Sequence, residues 1–211
     1  MAILLDSASV DDAAAAAALG FVHGITTNPA LMAKATREPL AHLERLLTAF
    51  PSGPICYQPT RTSYAEMDEE ARAAAAIAPA RVVAKLPATL EAITLAAALK
   101  QDGIRCALTA VYSPAQALLA HEVGCVWVIP YVDRAARHSA GHVVEELAAV
   151  LARLQSGTRI LAASLKTSQQ VVDAVLAGSL DVTAPLDVLR GLPAHPLTES
   201  AVREFAAHWE A

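Results

Sequence analysis

Arg81-Val82-Val83-Ala84-Lys85-Leu86-Pro87 decides how the chain reads. An apolar, β-branched run of this length is the mark of a strand buried on both faces, as in a parallel sheet. Pro87 has no N–H to give to a ladder, so the strand should stop near it. Lys85 then lies at the strand's carboxyl end, with its amine in or beside an apolar interior. Burial there would favour the neutral amine, because the charged form loses hydration. A neutral amine is a nucleophile towards carbonyls and forms Schiff bases. The plainer reading is a lysine that snorkels to solvent or pairs with a carboxylate.

Outward from this strand the same unit recurs. Towards the N-terminus lie Ile55-Cys56-Tyr57-Gln58, Gly24-Ile25-Thr26-Thr27-Asn28-Pro29 and Ile3-Leu4-Leu5-Asp6. Towards the C-terminus lie Cys106 to Thr109, Val126 to Val132, Ile160 to Ser164 and Asp181 to Leu186. Between them stand helical stretches with start and stop signals. Ser9, Asn28 before Pro29, Ser63 in a capping-box spacing with Glu66, Thr89, Ser113 before Pro114, and Thr167 or Ser168 open helices. Gly20, Gly103, Gly124, Gly157 and Gly178 stand where helices should close. A final helix is expected over about 198–208, after the break at Pro193 to Pro196. Eight strands alternating with helices predict a parallel sheet closed as a single α/β domain, a (β/α)8 TIM barrel over 1–211. An open doubly wound sheet is the alternative. Against it, no strand leads into a Gly-x-Gly-x-x-Gly turn or a Walker loop.

The bulk numbers bound the function. The chain has 211 residues, is 55% hydrophobic but only 4% aromatic, and carries a formal charge of -5. Without a long basic run, nucleic acid and anionic membrane are not expected partners. The alanine run Ala13 to Ala18 is too short and too weakly apolar to span a bilayer. Cys56, Cys106 and Cys125 are odd in number, and two fall inside strands, so free core thiols in a reducing cytoplasm are expected. The N-terminus has no basic segment ahead of Asp6, so no signal peptide is expected.

In a parallel barrel the active site collects at the carboxyl ends of the strands. Those ends supply Asp6, Thr26 and Asn28, Gln58, Lys85, Thr109, Tyr131 and Arg134, and Ser164. The eighth strand end is the least informative. Each residue has a plainer role. Asp6 or Asn28 could be only a helix cap, Gln58 and Thr109 satisfied strand-end polars, Tyr131 a rim aromatic, and Arg134 a partner for Asp133. Lys166 could be just a charged loop residue. His138 and His142 lie one helical turn apart but have no acidic or cysteine partner at ligand spacing, so a solvated helix start is expected rather than a metal site.

At this point the chain resembles a known family. Asp6, Thr26-Thr27-Asn28-Pro29, Val83-Ala84-Lys85-Leu86-Pro87, Leu108-Thr109-Ala110-Val111-Tyr112, Pro130-Tyr131-Val132-Asp133-Arg134 and Ala162-Ala163-Ser164-Leu165-Lys166 together resemble the small transaldolase family, and within it the fructose-6-phosphate aldolase branch. The resemblance runs from Ile3 to the last helix. It implies a class I aldolase with no metal and no cofactor, acting on ketose or aldose phosphates. Lys85 matches the Schiff-base lysine, and Asp6 the acid that handles the C4 hydroxyl proton. Thr26 and Asn28 match residues holding substrate hydroxyls, Arg134 and Ser164 the phosphate-binding pair, and Thr109 a residue that holds a catalytic water. Gln58 and Tyr131 match the aldolase branch, where true transaldolases carry glutamate and commonly phenylalanine. An amide cannot titrate and can only orient water. The resemblance also implies a homo-oligomer, a pentamer or decamer, with contacts from the C-terminal helix. Pro59 and the segment Arg137-His138-Ser139-Ala140 depart from the family pattern and bear on substrate choice.

Overall fold

The computed structural model describes residues 1–138 and 141–210. Eight parallel strands, hydrogen-bonded in chain order, close into a barrel. They are β1 (Ala2–Asp6), β2 (Gly24–Thr26), β3 (Ile55–Tyr57), β4 (Val82–Pro87), β5 (Cys106–Val111), β6 (Trp127–Pro130), β7 (Arg159–Ala162) and β8 (Asp181–Ala184). The surrounding helices are α1 (Val10–Ala18), α2 (Pro29–Ala35), α3 (Pro39–Ala49), α4 (Tyr64–Ile77), α5 (Leu90–Gln101), α6 (Pro114–Glu122), α7 (Val132–Ala136), α8 (Val143–Arg153), α9 (Ser168–Leu176), α10 (Leu186–Gly191) and α11 (Pro196–Glu210).

The predicted caps hold these helices in place. Ser9, Asn28, Ser63, Thr89 and Thr167 each accept from the backbone N–H three residues on. Each such cap is worth about 1 kcal/mol. At α6 the Gln116 side chain reaches back to accept from the Ser113 and Tyr112 N–H groups. At Ser63 the hydroxyl donates instead to the Glu66 carboxylate. At two boundaries a helix begins where the sequence reading continues a strand. β6 stops at Pro130, and Val132 begins α7. β8 stops at Ala184, and Leu186 begins α10. In both cases a proline ends the ladder, and a short helix takes up the apolar residues that extended the run.

Inside the barrel the register sorts side chains into layers. In a barrel of shear eight, a layer climbs one residue per strand against the hydrogen-bonded register, and alternate strands fill it. Followed this way, the observed pairs close on themselves. Gly24, Val83, Trp127 and Asp181 form the lowest layer. Leu4, Cys56, Ala107 and Leu161 lie above it, then Thr26, Lys85, Ile129 and Thr183. Extending the register one residue at Gln58 and Ala163 gives the top layer: Asp6, Gln58, Thr109 and Ala163. The lower half is apolar and buried, save for Asp181. That carboxylate is fully buried and accepts from the Ala2 N–H at 2.6 Å, the Trp127 indole at 2.9 Å and Arg159 at 2.5 Å. It ties four strands together at the end opposite the rim.

Two further apolar clusters fill the space between barrel and helices, one under α1 and α3 and one under α5, α6 and α8. Full burial of a leucine or valine contributes roughly 1.5–3 kcal/mol, so these clusters carry most of the fold's stability. All three cysteines are free and buried. α11 is the exception to this packing. Leu197, Val202, Phe205 and Trp209 are all well exposed, Trp209 at 93%.

Candidate active site

Lys85 belongs to the second layer from the top, and its residue is 3% exposed. Among the described residues no hydrogen bond or ion pair engages its amine, so neither plainer reading of this lysine describes it. Asp6, Gln58 and Thr109 occupy the layer directly above that of Lys85. An apolar floor below, with polar groups beside and above, suits a nucleophilic amine.

Asp6 ends β1 half-buried and does not cap α1, a task Ser9 performs. Its Oδ1 accepts from the Thr26 hydroxyl at 2.9 Å. Gln58 has its Oε1 buried without a partner among the described residues. A buried amide oxygen left open in this way is a place for a water or a substrate hydroxyl. The Thr109 hydroxyl lies 3.2 Å from the Tyr131 Oη. Tyr131 is held edge-on by Tyr112, ring centroids 6.1 Å apart. The Arg134 guanidinium stands 5.5 Å over the Tyr131 ring. Asp133 is taken by Arg137 at 2.5 Å, which leaves Arg134 without an ion pair among the described residues. Asn28 caps α2 through its side-chain oxygen, 3.0 Å from the Leu31 N–H. Its amide N–H groups remain for a ligand.

Ser164 has φ = 62°, in the left-handed region that a non-glycine residue adopts at a cost of about 1–2 kcal/mol. Ala110, at the bulge where β5 slips against β6, has φ = 55°. Backbone strain of this kind is concentrated where side chains must be aimed. Lys166 is exposed beside Ser164. His142 contacts Glu145 at 2.7 Å on the solvent-exposed start of α8. Among the described residues no group of three His, Cys, Asp or Glu side chains could hold a metal ion.

Two contributors were not evident in the sequence. Thr183 on β8 is 1% exposed, with its Oγ1 2.7 Å from that of Thr26. Glu70 on α4 accepts from the Tyr57 hydroxyl with one oxygen and from the Thr60 N–H with the other. It thereby anchors the stretch carrying Gln58 and the buried Pro59. Ser139 and Ala140, the end of the other departing segment, lie outside the described residues. A surface groove lined by Arg37, Leu40, Thr60, Arg61 and Glu70 holds none of the strand-end residues.

The thiols are not part of the chemistry. Burial pushes the Cys56 thiol up to about 12. Burial likewise pushes Cys106 and Cys125 up to about 12. All three stay protonated at neutral pH and are poor nucleophiles.

Fold and site together define a (β/α)8 barrel protein with one buried lysine beneath a polar carboxyl-end rim. The comparisons name the class more narrowly. The profile of the family described as "Transaldolase/Fructose-6-phosphate aldolase" matches residues 3–211. The chain is 36% identical over 211 residues to a "Probable transaldolase" of Phenylobacterium zucineum, covering 99% of this chain and 96% of that one. It is also 36% identical over 213 residues to one of Symbiobacterium thermophilum, covering 100% and 98%. A third, from Desulforudis audaxviator, is 36% identical over 211 residues, covering 99% and 97%. The chain therefore belongs to the transaldolase/fructose-6-phosphate aldolase family, an enzyme family of the class I aldolase type.

Proposed function

We propose that this protein is a class I aldolase of the lyase kind, cleaving or forming the C3–C4 bond of fructose 6-phosphate or a similar ketose phosphate. The observation that carries this reading is Lys85: a buried amine with no partner among the described residues, under a ring of carboxyl, amide and hydroxyl groups. In the cleavage direction the deprotonated amine attacks the ketone carbon, and loss of water gives an iminium. Asp6 takes the C4 hydroxyl proton as the C3–C4 bond breaks. The C4 carbonyl leaves as an aldehyde such as glyceraldehyde 3-phosphate, and the bonding pair enters the enamine. A water held by Gln58, Thr109 and Tyr131 protonates the enamine, and hydrolysis frees dihydroxyacetone and the lysine. Asn28 serves the sugar hydroxyls, while the Thr26 hydroxyl is engaged by Asp6 and Thr183 and acts through the carboxylate rather than on the sugar. Arg134, with its planar fork, and Ser164 hold the phosphate.

Gln58 and Tyr131 favour the lyase, because an amide with a neighbouring phenol supplies water to the enamine rather than a titrating carboxylate. The relatives' names favour the second reading, a transaldolase that passes the three-carbon unit to another sugar phosphate. Cleavage of fructose 6-phosphate to free dihydroxyacetone with no acceptor aldose supports the lyase, and a strict acceptor requirement supports the transferase. Incubation with dihydroxyacetone and borohydride, followed by peptide mapping, tests the chemistry common to both. An adduct is expected on Lys85. Lys85→Ala should lose the adduct and at least about three orders of magnitude in rate. An unmodified lysine would leave only a sugar-phosphate binding barrel.

The reading also takes the protein to be a cytoplasmic homo-oligomer. The exposed apolar stripe of α11 supports the second word and the free cysteines the first.

A further inference from the structure

Two buried hydroxyls lie beneath Asp6. Thr26 on β2 and Thr183 on β8 face the barrel interior in the same layer as Lys85, each 1% exposed. Their Oγ1 atoms are 2.7 Å apart, and the Thr26 hydroxyl donates to Asp6 Oδ1 at 2.9 Å. A hydroxyl has one proton to donate, and an ionised carboxylate has none. With the Thr26 proton committed to Asp6, Thr183 must be the donor in the contact between the threonines. The chain of bonds has one polarity, Thr183 to Thr26 to Asp6. Both O–H dipoles turn their positive ends towards the carboxylate, and each bond strengthens the next.

We propose that Thr183 is a positioning residue for the proton step at Asp6, acting through Thr26; this rests on the Schiff-base reading given above. The chain of hydroxyls pins Oδ1. Among the described residues no hydrogen bond engages Oδ2, which is left to receive the C4 hydroxyl proton. As the C4 O–H pair becomes the carbonyl π bond, the C3–C4 pair moves into the C2–C3 double bond, and the iminium nitrogen takes up the former C=N π pair. Placing the proton on Oδ1 would reverse the chain. Asp6 would then donate to Thr26 and Thr26 to Thr183, and the Thr183 proton would have no acceptor among the described residues. The polarity therefore steers the proton to Oδ2.

The test separates bond cleavage from Schiff-base formation. Deuterium exchange into dihydroxyacetone in D2O needs Lys85 and the enamine water but breaks no C–C bond, so it should be untouched by Thr183. Thr183→Val keeps the shape and removes the donor. It should lower kcat for fructose 6-phosphate cleavage about tenfold or more, with KM within about threefold and exchange within about twofold of the wild type. Thr183→Ser should recover kcat to within about threefold. If Thr183→Val does not fold, Thr183→Ala should show the same split. Cleavage at the wild-type rate in a folded Thr183→Val or Thr183→Ala protein overturns the proposal. So does an equal loss of exchange and cleavage, or a Thr183→Ser protein as slow as Thr183→Val. A wild-type protein that forms no borohydride adduct overturns the Schiff-base reading itself, a result the variants do not produce.

Discussion

Lys85 and Cys56 face the same interior from successive layers, and the contrast between them shows what position does to chemistry. The thiol is closed in by Leu4, Val83, Ala107 and Leu161 and stays protonated. The amine, one layer higher, has polar groups above it. The folded thiols lie near 12 against an ordinary value of 9.0. Above pH 9 the unfolded chain sheds thiol protons that the folded chain keeps, so it binds fewer protons and gains on the fold. Stability should hold below about pH 9 and fall as pH rises towards 12, each thiol adding a slope of up to about 1.4 kcal/mol per pH unit. Tyr57 adds in the same direction, raised by burial and then by its hydrogen bond to Glu70. Urea midpoints measured from neutral pH to about pH 10 check this. A Cys106→Ala, Cys125→Ala protein should be less stable but show a flatter decline. None of the thiols should react with iodoacetamide in the native protein near neutral pH, and all three should react once it is unfolded.

At the scale of the element, α2 opens on a residue with a structural task and a proposed site role. Asn28 closes the free N-terminal turn of the helix through its oxygen, and the proposed function gives its N–H groups to a sugar hydroxyl. Asn28→Asp keeps the cap and removes the donor, whereas Asn28→Ala removes both. Stability by urea melts should fall about 1 kcal/mol for alanine and hold for aspartate, while KM for the ketose phosphate rises for both. The cap was legible because Asn-Pro is a local signal. β8 was not. Asp181-Val182-Thr183-Ala184 alternates polar and apolar residues like a strand with one wet face, yet the barrel turns its polar face inward. Nothing local in four residues says which face closes over the interior; only pairing with β1 and β7 does. Glu70 was hidden for a similar reason. It reads as one more carboxylate on an acidic helix, and its tie to Tyr57 and Thr60 exists only after α4 packs beside β3.

For the whole molecule, the two ends of the barrel divide the labour. The amino end is bolted by Asp181, the carboxyl end carries the proposed chemistry, and the apolar layer of Leu4, Cys56, Ala107 and Leu161 lies between Asp181 and Lys85. Asp181→Asn should cost about 2–3 kcal/mol of stability by weakening charge-assisted bonds to Arg159, Trp127 and Ala2. Its turnover below the melting range should stay within about twofold. Most of this plan was readable in advance: eight apolar runs, their caps and the lysine strand fix alternation, and alternation fixes a parallel sheet. Layer membership was not, because it depends on shear, which no single segment encodes. The exposed stripe of α11 belongs to this scale too. Phe205→Glu with Trp209→Ser should convert an oligomer into smaller species by light scattering, with the barrel's circular dichroism retained. An unchanged mass would mean that the stripe joins no subunits.

The depth of Lys85 has a practical corollary. Under the proposed Schiff-base chemistry, a ketose tethered to it would bury its first carbons, with the remainder of the sugar among the loops that follow β3, β6 and β7. Randomising those loops, with the interior tiers untouched, is therefore the route to new aldehyde partners from the same bond-making machinery.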